Sequence, residues 1–132
     1  MAGYSGTPLI KKLGIKEGMR IAFLYAPDSY RSLLGPLPAA IDEQSDDKLD
    51  FIHAFFTDRT DFELEIPELL SAIARDGMIW ISWPKKASKV PTTMTEDIIR
   101  EVALPMGLVD VKVCAVDEVW SGLKLMIRKE LR

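Results

Sequence analysis

The sequence predicts a single α/β domain with a mostly parallel β-sheet. Apolar segments of strand length alternate with helical patterns along the 132 residues, and no linker or repeat marks a domain boundary. Strands that are apolar on both faces are typical of a parallel sheet covered by helices on each side. A connection of only four residues joins the last two strand segments, which makes them antiparallel neighbours. These observations predict a three-layer Rossmann-like sandwich closed by a C-terminal antiparallel hairpin.

The first half of the chain predicts two strands joined through a short helix. Residues 19–26 form an almost continuously apolar run of strand length. Residues 27–35 predict a short helix with Asp28 as its N-cap. Residues 37–48 hold two prolines and several carboxylates, and we expect a connection with at most a short edge strand around Ile41. The second strand is predicted at 49–56.

Helical and strand patterns alternate again in the second half. Residues 58–75 carry an apolar stripe of helical spacing, in which Pro67 implies a kink or a new helix start. The third strand is predicted at 78–83. Residues 93–96 have capping-box spacing and predict the start of a further helix. The last two strands are predicted at 108–116 and 121–129.

Composition excludes several classes of protein. The chain is 48% hydrophobic and 28% charged, which is typical of a soluble domain that needs no disulfide or structural metal. One cysteine, Cys114, excludes an intramolecular disulfide, and its apolar strand predicts an inert buried thiol. A net charge of −3 argues against nucleic-acid binding. The acidic segment 42–47 lacks calcium-loop spacing, so no metal site is predicted.

The N-terminal sequence and the hydropathy of the chain predict the cellular location of the protein. We expect the domain to span residues 1–132, with a loose N-terminal arm at 1–12. The first residues show neither the basic start nor the apolar run of a secretory signal. No segment reaches the roughly 18 to 20 apolar residues of a membrane helix. We therefore expect a cytoplasmic protein that does not bind a membrane.

Several stretches resemble known families. Residues 13–21 and 74–81 resemble segments that flank strands of class I methyltransferases. The chain also resembles a bacterial family of unknown function, domain-of-unknown-function family 3052. The stretches that resemble hallmarks of this family are residues 7–14, 83–88, 107–117 and 120–124. This resemblance covers almost the whole chain, although residues 36–76 match only by pattern. It implies a methyltransferase-like fold and brings no established activity with it.

The turn after the first strand departs from working methyltransferases. Such enzymes use a glycine-rich turn for close approach to the cofactor, followed by an acidic residue at the end of the next strand. Residues 26–30 contain no glycine, and the next strand is truncated or missing. No cofactor is therefore predicted, and the sequence favours a non-catalytic domain. The lone histidine, His53, lies mid-strand and is predicted to be a packed residue, so no catalytic residue is assigned.

Three turns are candidate ligand sites, because ligands of open α/β sheets bind beyond the carboxyl ends of the strands. In the first, helix amides and Arg31 would hold an anion; the alternative is simple capping by Asp28. The second offers two cations, hydroxyls and an aromatic ring; the alternative is a solvated basic loop. The third is the tip of the terminal hairpin, where polar residues also serve the turn itself. The candidate ligand-binding residues are Asp28, Ser29, Tyr30 and Arg31, then Ser82, Trp83, Lys85, Lys86 and Ser88, then Trp120 and Ser121.

Three functions remain open on the sequence alone. The first is a non-catalytic domain that binds an anionic small molecule, such as a nucleotide. The second is a protein-interaction or regulatory module. The third is a minimal S-adenosylmethionine-dependent methyltransferase completed by a partner chain. A poorly covered sheet edge near residues 37–48 also favours a homodimer.

Overall fold

The computed structural model describes residues 7–132, which form an α/β fold around a five-stranded mixed sheet. The strands lie in the order β1-β2-β3-β5-β4. They comprise β1 (Ile21–Leu24), β2 (Leu49–Phe55), β3 (Ile73–Pro84), β4 (Leu108–Ala115) and β5 (Trp120–Ile127). The β1/β2 and β2/β3 pairs are parallel, whereas β5 runs antiparallel to both β3 and β4. Four strands therefore point in one direction and β5 points in the other.

Helices cover both faces of this sheet. The α-helices are α1 (Leu9–Leu13), α2 (Tyr30–Leu34), α3 (Arg59–Ala72) and α4 (Glu96–Ala103). Short 3-10 turns occur at Lys86–Ser88, Leu104–Met106 and Lys129–Leu131. Buried residues of α3 and α4 pack in one apolar cluster, and those of α1 and α2 pack in a second. No helix within residues 7–132 is long and apolar enough to cross a membrane.

The alternation of side chains along β2 explains why two clusters form. Ile52 and Ala54 belong to the cluster of α3 and α4, whereas Phe51 and Phe55 belong to the cluster of α1 and α2. Successive side chains of a strand point to opposite faces, so a strand covered on both sides is apolar at most positions on each face. This is why β2 is mostly apolar and not alternating; its buried polar residue, His53, has hydrogen-bond partners on both ring nitrogens.

The predicted loose arm at residues 1–12 is wrong for its second half. Residues 9–13 form α1, in which Leu9 and Leu13 are buried. The indole Nε1 of Trp80 donates a hydrogen bond of 2.8 Å to the carbonyl oxygen of Leu13. Sheet packing therefore holds a helix too short to be stable alone. The first six residues of the predicted arm lie outside the described part of the chain.

Helix starts also differ from the predicted ones. Ser29 and not Asp28 occupies the N-cap of α2, and no side chain caps this helix. Helix α3 continues through Pro67, so no new helix begins there. Helix α4 begins two residues later than the capping-box spacing suggests, because Thr95 is its N-cap and accepts a hydrogen bond from the backbone of Ile98.

The two edges of the described sheet differ in how they are covered. Beside β1, the predicted edge strand near Ile41 is reduced to a single parallel bridge between Arg20 and Asp42. At the other edge, β4 is irregular between Asp110 and Lys112. A bulge and a charged side chain at a sheet edge both oppose strand addition.

Candidate ligand-binding site

A cleft of about 490 Å³ opens at the carboxyl ends of β1 and β2. Strand β1 ends at Leu24, β2 ends at Phe55, and α3 begins at Arg59, so the chain turns twice at this edge. Trp120, the first residue of β5, forms a further wall of the cleft. We call this space the carboxyl-edge cleft; its lining residues are Tyr25, Phe55, Phe56, Thr57, Asp61, Leu64, Glu65 and Trp120.

Tyr25 is the most unusual residue of the cleft. It directly follows β1 and has a φ of 60°, in the left-handed region that residues other than glycine rarely adopt. Its side chain is 61% exposed, although it is a large aromatic residue. The phenol donates a hydrogen bond of 2.5 Å to Oε1 of Glu65 on α3. Strained backbone of this kind clusters at binding sites.

This conformation changes the interpretation of the turn after β1. The sequence contains no glycine at residues 26–30, which argues against the close backbone turn of a methyltransferase. Tyr25 nevertheless makes a left-handed turn of the type that glycine makes freely. The turn therefore carries a phenol ring where glycine would leave open space.

Aromatic and aliphatic side chains form the walls of the cleft. The Tyr25 ring packs against Phe56, with 5.8 Å between centroids, and the Phe55 ring meets the Trp120 ring edge-on at 5.2 Å. Leu64 adds an apolar side chain that is 72% exposed. Exposed apolar groups gathered in a concave site are typical of ligand pockets.

The charged groups of the cleft are both carboxylates. Asp61 lies in the first turn of α3, and Glu65 follows one turn later, so the two side chains share a helix face. The hydrogen bond to Glu65 raises the pKa of Tyr25, and the charges of Glu65 and Asp61 raise it further. The Asp61 carboxylate makes no hydrogen bond or ion pair with any residue in the described range 7–132. Among residues 7–132, no lysine, arginine or histidine lines this cleft.

Two of the predicted site residues, Tyr30 and Ser82, are buried in a hydrogen-bonded chain with His53 of β2. The Tyr30 hydroxyl lies 2.6 Å from Nδ1 of His53, and Oγ of Ser82 lies 2.7 Å from its Nε2. All three residues are buried. Burial lowers the pKa of His53 to about 3 and raises that of Tyr30 well above its usual value. The imidazole is therefore neutral at pH 7, and the chain joins β2, β3 and α2 inside the core.

The other residues of the first predicted turn lie beside the terminal hairpin. Asp28 and Ser29 are exposed. Arg31 forms an ion pair with Glu43, and its guanidinium lies over the ring of Phe23, 4.7 Å from the centroid. Ser29 lines a shallow depression together with hairpin residues, including Asp117 and Glu118. The structure thus brings the first and third predicted turns together.

The second predicted turn also meets the hairpin. The backbone N–H of Lys85 donates to the carbonyl of Val119 at 2.8 Å. Trp83 is buried in the core and pairs with Ser121 across β3 and β5. Ser88 donates its hydroxyl hydrogen to the carbonyl of Lys85, and Lys86 is exposed. Of the predicted residues, Trp120 is the one that lines the carboxyl-edge cleft.

Most lining residues of the cleft were missed by sequence reasoning. A weak signal existed for Asp61 and Glu65, whose spacing of four places them on one face of the predicted helix. Leu64 lies outside the apolar stripe of that helix, which is another available sign of exposure. Nothing in the sequence signals the left-handed backbone of Tyr25.

Comparison with solved structures shows that this fold is similar to the fold of class I methyltransferases that depend on S-adenosylmethionine. The chain is similar to a SAM dependent methyltransferase from Aquifex aeolicus, with a TM-score of 0.60, 19% identity, and coverage of 91% of this chain and 88% of that one. It is also similar to DhpI in complex with SAH, with a TM-score of 0.62, 13% identity, and coverage of 92% and 83%. Aeropyrum pernix fibrillarin gives a TM-score of 0.56, 15% identity, and coverage of 94% and 70%. At these identities the likeness shows the fold alone.

The family is shown by a match to residues 11–129. The chain belongs to the family described as protein of unknown function, DUF3052. No curated protein matches the sequence. The resemblance seen in the sequence is thereby confirmed, both for the family and for the methyltransferase-like fold.

Proposed function

We propose that this protein is a non-catalytic ligand-binding domain whose ligand occupies the carboxyl-edge cleft. The observation that carries the proposal is Tyr25, a strained and exposed aromatic residue fixed by Glu65 at the mouth of the cleft. Backbone strain persists only where surrounding contacts maintain it, and it is concentrated at binding and active sites. The position also supports the proposal, because ligands of open α/β sheets bind beyond the carboxyl ends of the strands.

The chemistry of the lining residues supports a binding role more than a catalytic one. A nucleophile needs an adjacent base within hydrogen-bond reach. The histidine of this chain is fully buried and already bonded on both ring nitrogens. Within residues 7–132, the hydroxyl groups that line the cleft belong to Tyr25 and Thr57, and the hydrogen-bond partners of the imidazole are other residues.

The arrangement of layers supports the finer description of the fold. Helices pack against both faces of the sheet, and β4 and β5 pair antiparallel. We therefore describe the domain as a three-layer Rossmann-like sandwich closed by a C-terminal hairpin. In this description β5 supplies both the last antiparallel pairing and a wall of the cleft.

Thermal unfolding with a ligand panel tests the proposal. The panel contains nucleotides, phosphorylated metabolites, aromatic amines, S-adenosylmethionine and S-adenosylhomocysteine. A ligand at one hundred times its Kd stabilises a fold by about 2.7 kcal/mol, or roughly 10 °C in the midpoint for a domain of this length. Leu64→Arg places a charged, bulky group in the cleft, and Leu131→Arg makes the same change at an exposed leucine outside it.

The two variants separate the outcomes. A ligand shift that disappears in Leu64→Arg and persists in Leu131→Arg supports the cleft as the site. A shift that persists in Leu64→Arg and disappears when Lys85 and Lys86 are both replaced by alanine supports the predicted anionic ligand at the basic loop instead. Absence of any shift contradicts the proposal and favours an interaction module. Transfer of a labelled methyl group from S-adenosylmethionine contradicts a non-catalytic role.

A further inference from the structure

We infer that the carboxyl-edge cleft recognises an organic cation, namely an ammonium or guanidinium group attached to an apolar or aromatic moiety. The inference rests on the proposed function, since it names the ligand class of the same site. It differs from the anionic ligand predicted from the sequence. Charge, aromatic geometry and the fixed position of Tyr25 each support it.

The charge of the cleft favours a cation. Asp61 and Glu65 both line it, and no positively charged side chain of the described part of the chain does. The arginine of α3, Arg59, is already paired with Glu63 and Glu101. An anion in this space would meet two like charges with no neutralising partner, whereas a cation would gain from both.

The aromatic rings supply the second half of a cation site. Rings of Tyr25, Phe56 and Trp120 line the same cleft, and a cation over a ring face is attracted by the negative π-cloud. The apolar side chain of Leu64 offers a contact surface for the uncharged part of the ligand. This combination of rings and carboxylates is the chemistry that recognises quaternary and primary ammonium groups.

Tyr25 is held in place before any ligand binds. Its left-handed backbone fixes the direction of the side chain, and the hydrogen bond to Glu65 fixes the ring. A ring fixed in this way loses little conformational freedom on binding, which improves affinity. Glu65 therefore has two roles, since it anchors Tyr25 and contributes negative charge.

Helix stabilisation is the competing explanation for Asp61. A carboxylate in the first turn interacts favourably with the helix dipole. The start of α3 is nevertheless already capped by Asp58, whose side chain accepts a hydrogen bond from the backbone of Thr60 at 2.7 Å. A dipole contribution accounts for an acidic residue there, but it does not account for Glu65 one turn later beside the aromatic rings.

A pair of probes of equal shape and different charge tests the inference. The cationic probe is para-hydroxyphenyltrimethylammonium, and the uncharged probe is para-tert-butylphenol. Isothermal titration calorimetry of the wild-type protein is expected to give about fivefold tighter binding of the cation. Asp61→Asn is expected to weaken the cation by about threefold and to leave the phenol unchanged. Glu68→Gln, on the same helix and outside the cleft, is the matched control and should change neither affinity.

The outcomes separate this inference from the proposed function. Equal binding of both probes, abolished by Leu64→Arg, overturns the cation and leaves the cleft as an apolar ligand site. An equal loss of affinity in Asp61→Asn and Glu68→Gln also overturns it, because the effect would then be general charge and not contact. If neither probe binds and no ligand of the thermal panel depends on Leu64, both the inference and the proposed function fail.

Discussion

Removal of one hydroxyl from the buried chain of Tyr30, His53 and Ser82 should cost a large part of the stability of this domain. In Ser82→Ala the Nε2 atom of His53 loses its partner, and both residues are fully buried. A buried polar atom left without a hydrogen bond costs about 1 to 3 kcal/mol. The unfolding entropy of a 132-residue chain is about 0.28 kcal/mol/K. The unfolding midpoint should therefore fall by roughly 4 to 11 °C.

Calorimetry and urea unfolding of matched variants test this value. Ser32→Ala removes an exposed hydroxyl and should change the free energy of unfolding by less than about 0.5 kcal/mol. A triple variant with Tyr30→Phe, His53→Phe and Ser82→Ala removes all three polar partners, so it should be more stable than Ser82→Ala alone. The reasoning is refuted if Ser82→Ala loses no more stability than Ser32→Ala.

Three further predictions concern pH, backbone strain and packing. Burial holds the pKa of His53 at about 3, below its usual 6.5, so only the unfolded chain is protonated between these values and stability is lost as pH falls below 6.5. Urea unfolding should show a loss of about 2 kcal/mol by about pH 5, and His53→Phe should lose less than half of it. Tyr25→Gly should have a higher thermal unfolding midpoint than Tyr25→Ala, since glycine adopts a φ near 60° freely. Equal midpoints would contradict backbone strain at this position. Gly77→Ala should cost about 1 to 3 kcal/mol, because its Cβ would lie 2.8 Å from the Ile73 side chain and 2.9 Å from the Leu49 carbonyl oxygen; an unchanged midpoint in thermal unfolding would contradict this.

The central strands could be predicted because their signal is local and strong. The predicted strand at 78–83 falls within β3, the predicted strand at 49–56 extends one residue beyond β2, and both are buried on two faces. Burial on both faces demands an unbroken apolar run, which few other structures produce. The helical stripe at 58–75 corresponds to α3 as far as Ala72, with Phe62, Ile66 and Leu69 buried, whereas residues 73–75 already belong to β3.

Short elements could not be predicted because distant residues stabilise them. Helix α1 has five residues, and the hydrogen bond from Trp80 to Leu13 joins residues that are 67 positions apart in the chain. Helix α2 is also five residues long and lacks a side-chain cap, so its start is set by the packing of Tyr30 against β2. Local propensity carries little information about helices of this length.

The position of the candidate site could be predicted from the sequence, whereas its charge could not. Topology alone predicts that a ligand site lies at the carboxyl edge of the sheet, and Trp120 is the predicted residue that lines the cleft at this edge. The charge of the site depends on which side chains converge in space. The basic residues Lys85 and Lys86 follow β3, whereas Asp61 and Glu65 follow β2 through the first turns of α3.

The carboxyl edge therefore carries charges of opposite sign at the ends of neighbouring strands. Sequence order draws attention to the lysines, because they are adjacent in one short loop. The acidic pair is less visible, since its members are separated by a helical turn and their aromatic neighbours come from three other segments. The sign of the ligand's charge therefore distinguishes the cleft beside Tyr25 from the basic loop after β3. Binding that weakens with Asp61→Asn assigns the ligand to the cleft beside Tyr25, and binding that weakens with loss of Lys85 and Lys86 assigns it to the loop after β3.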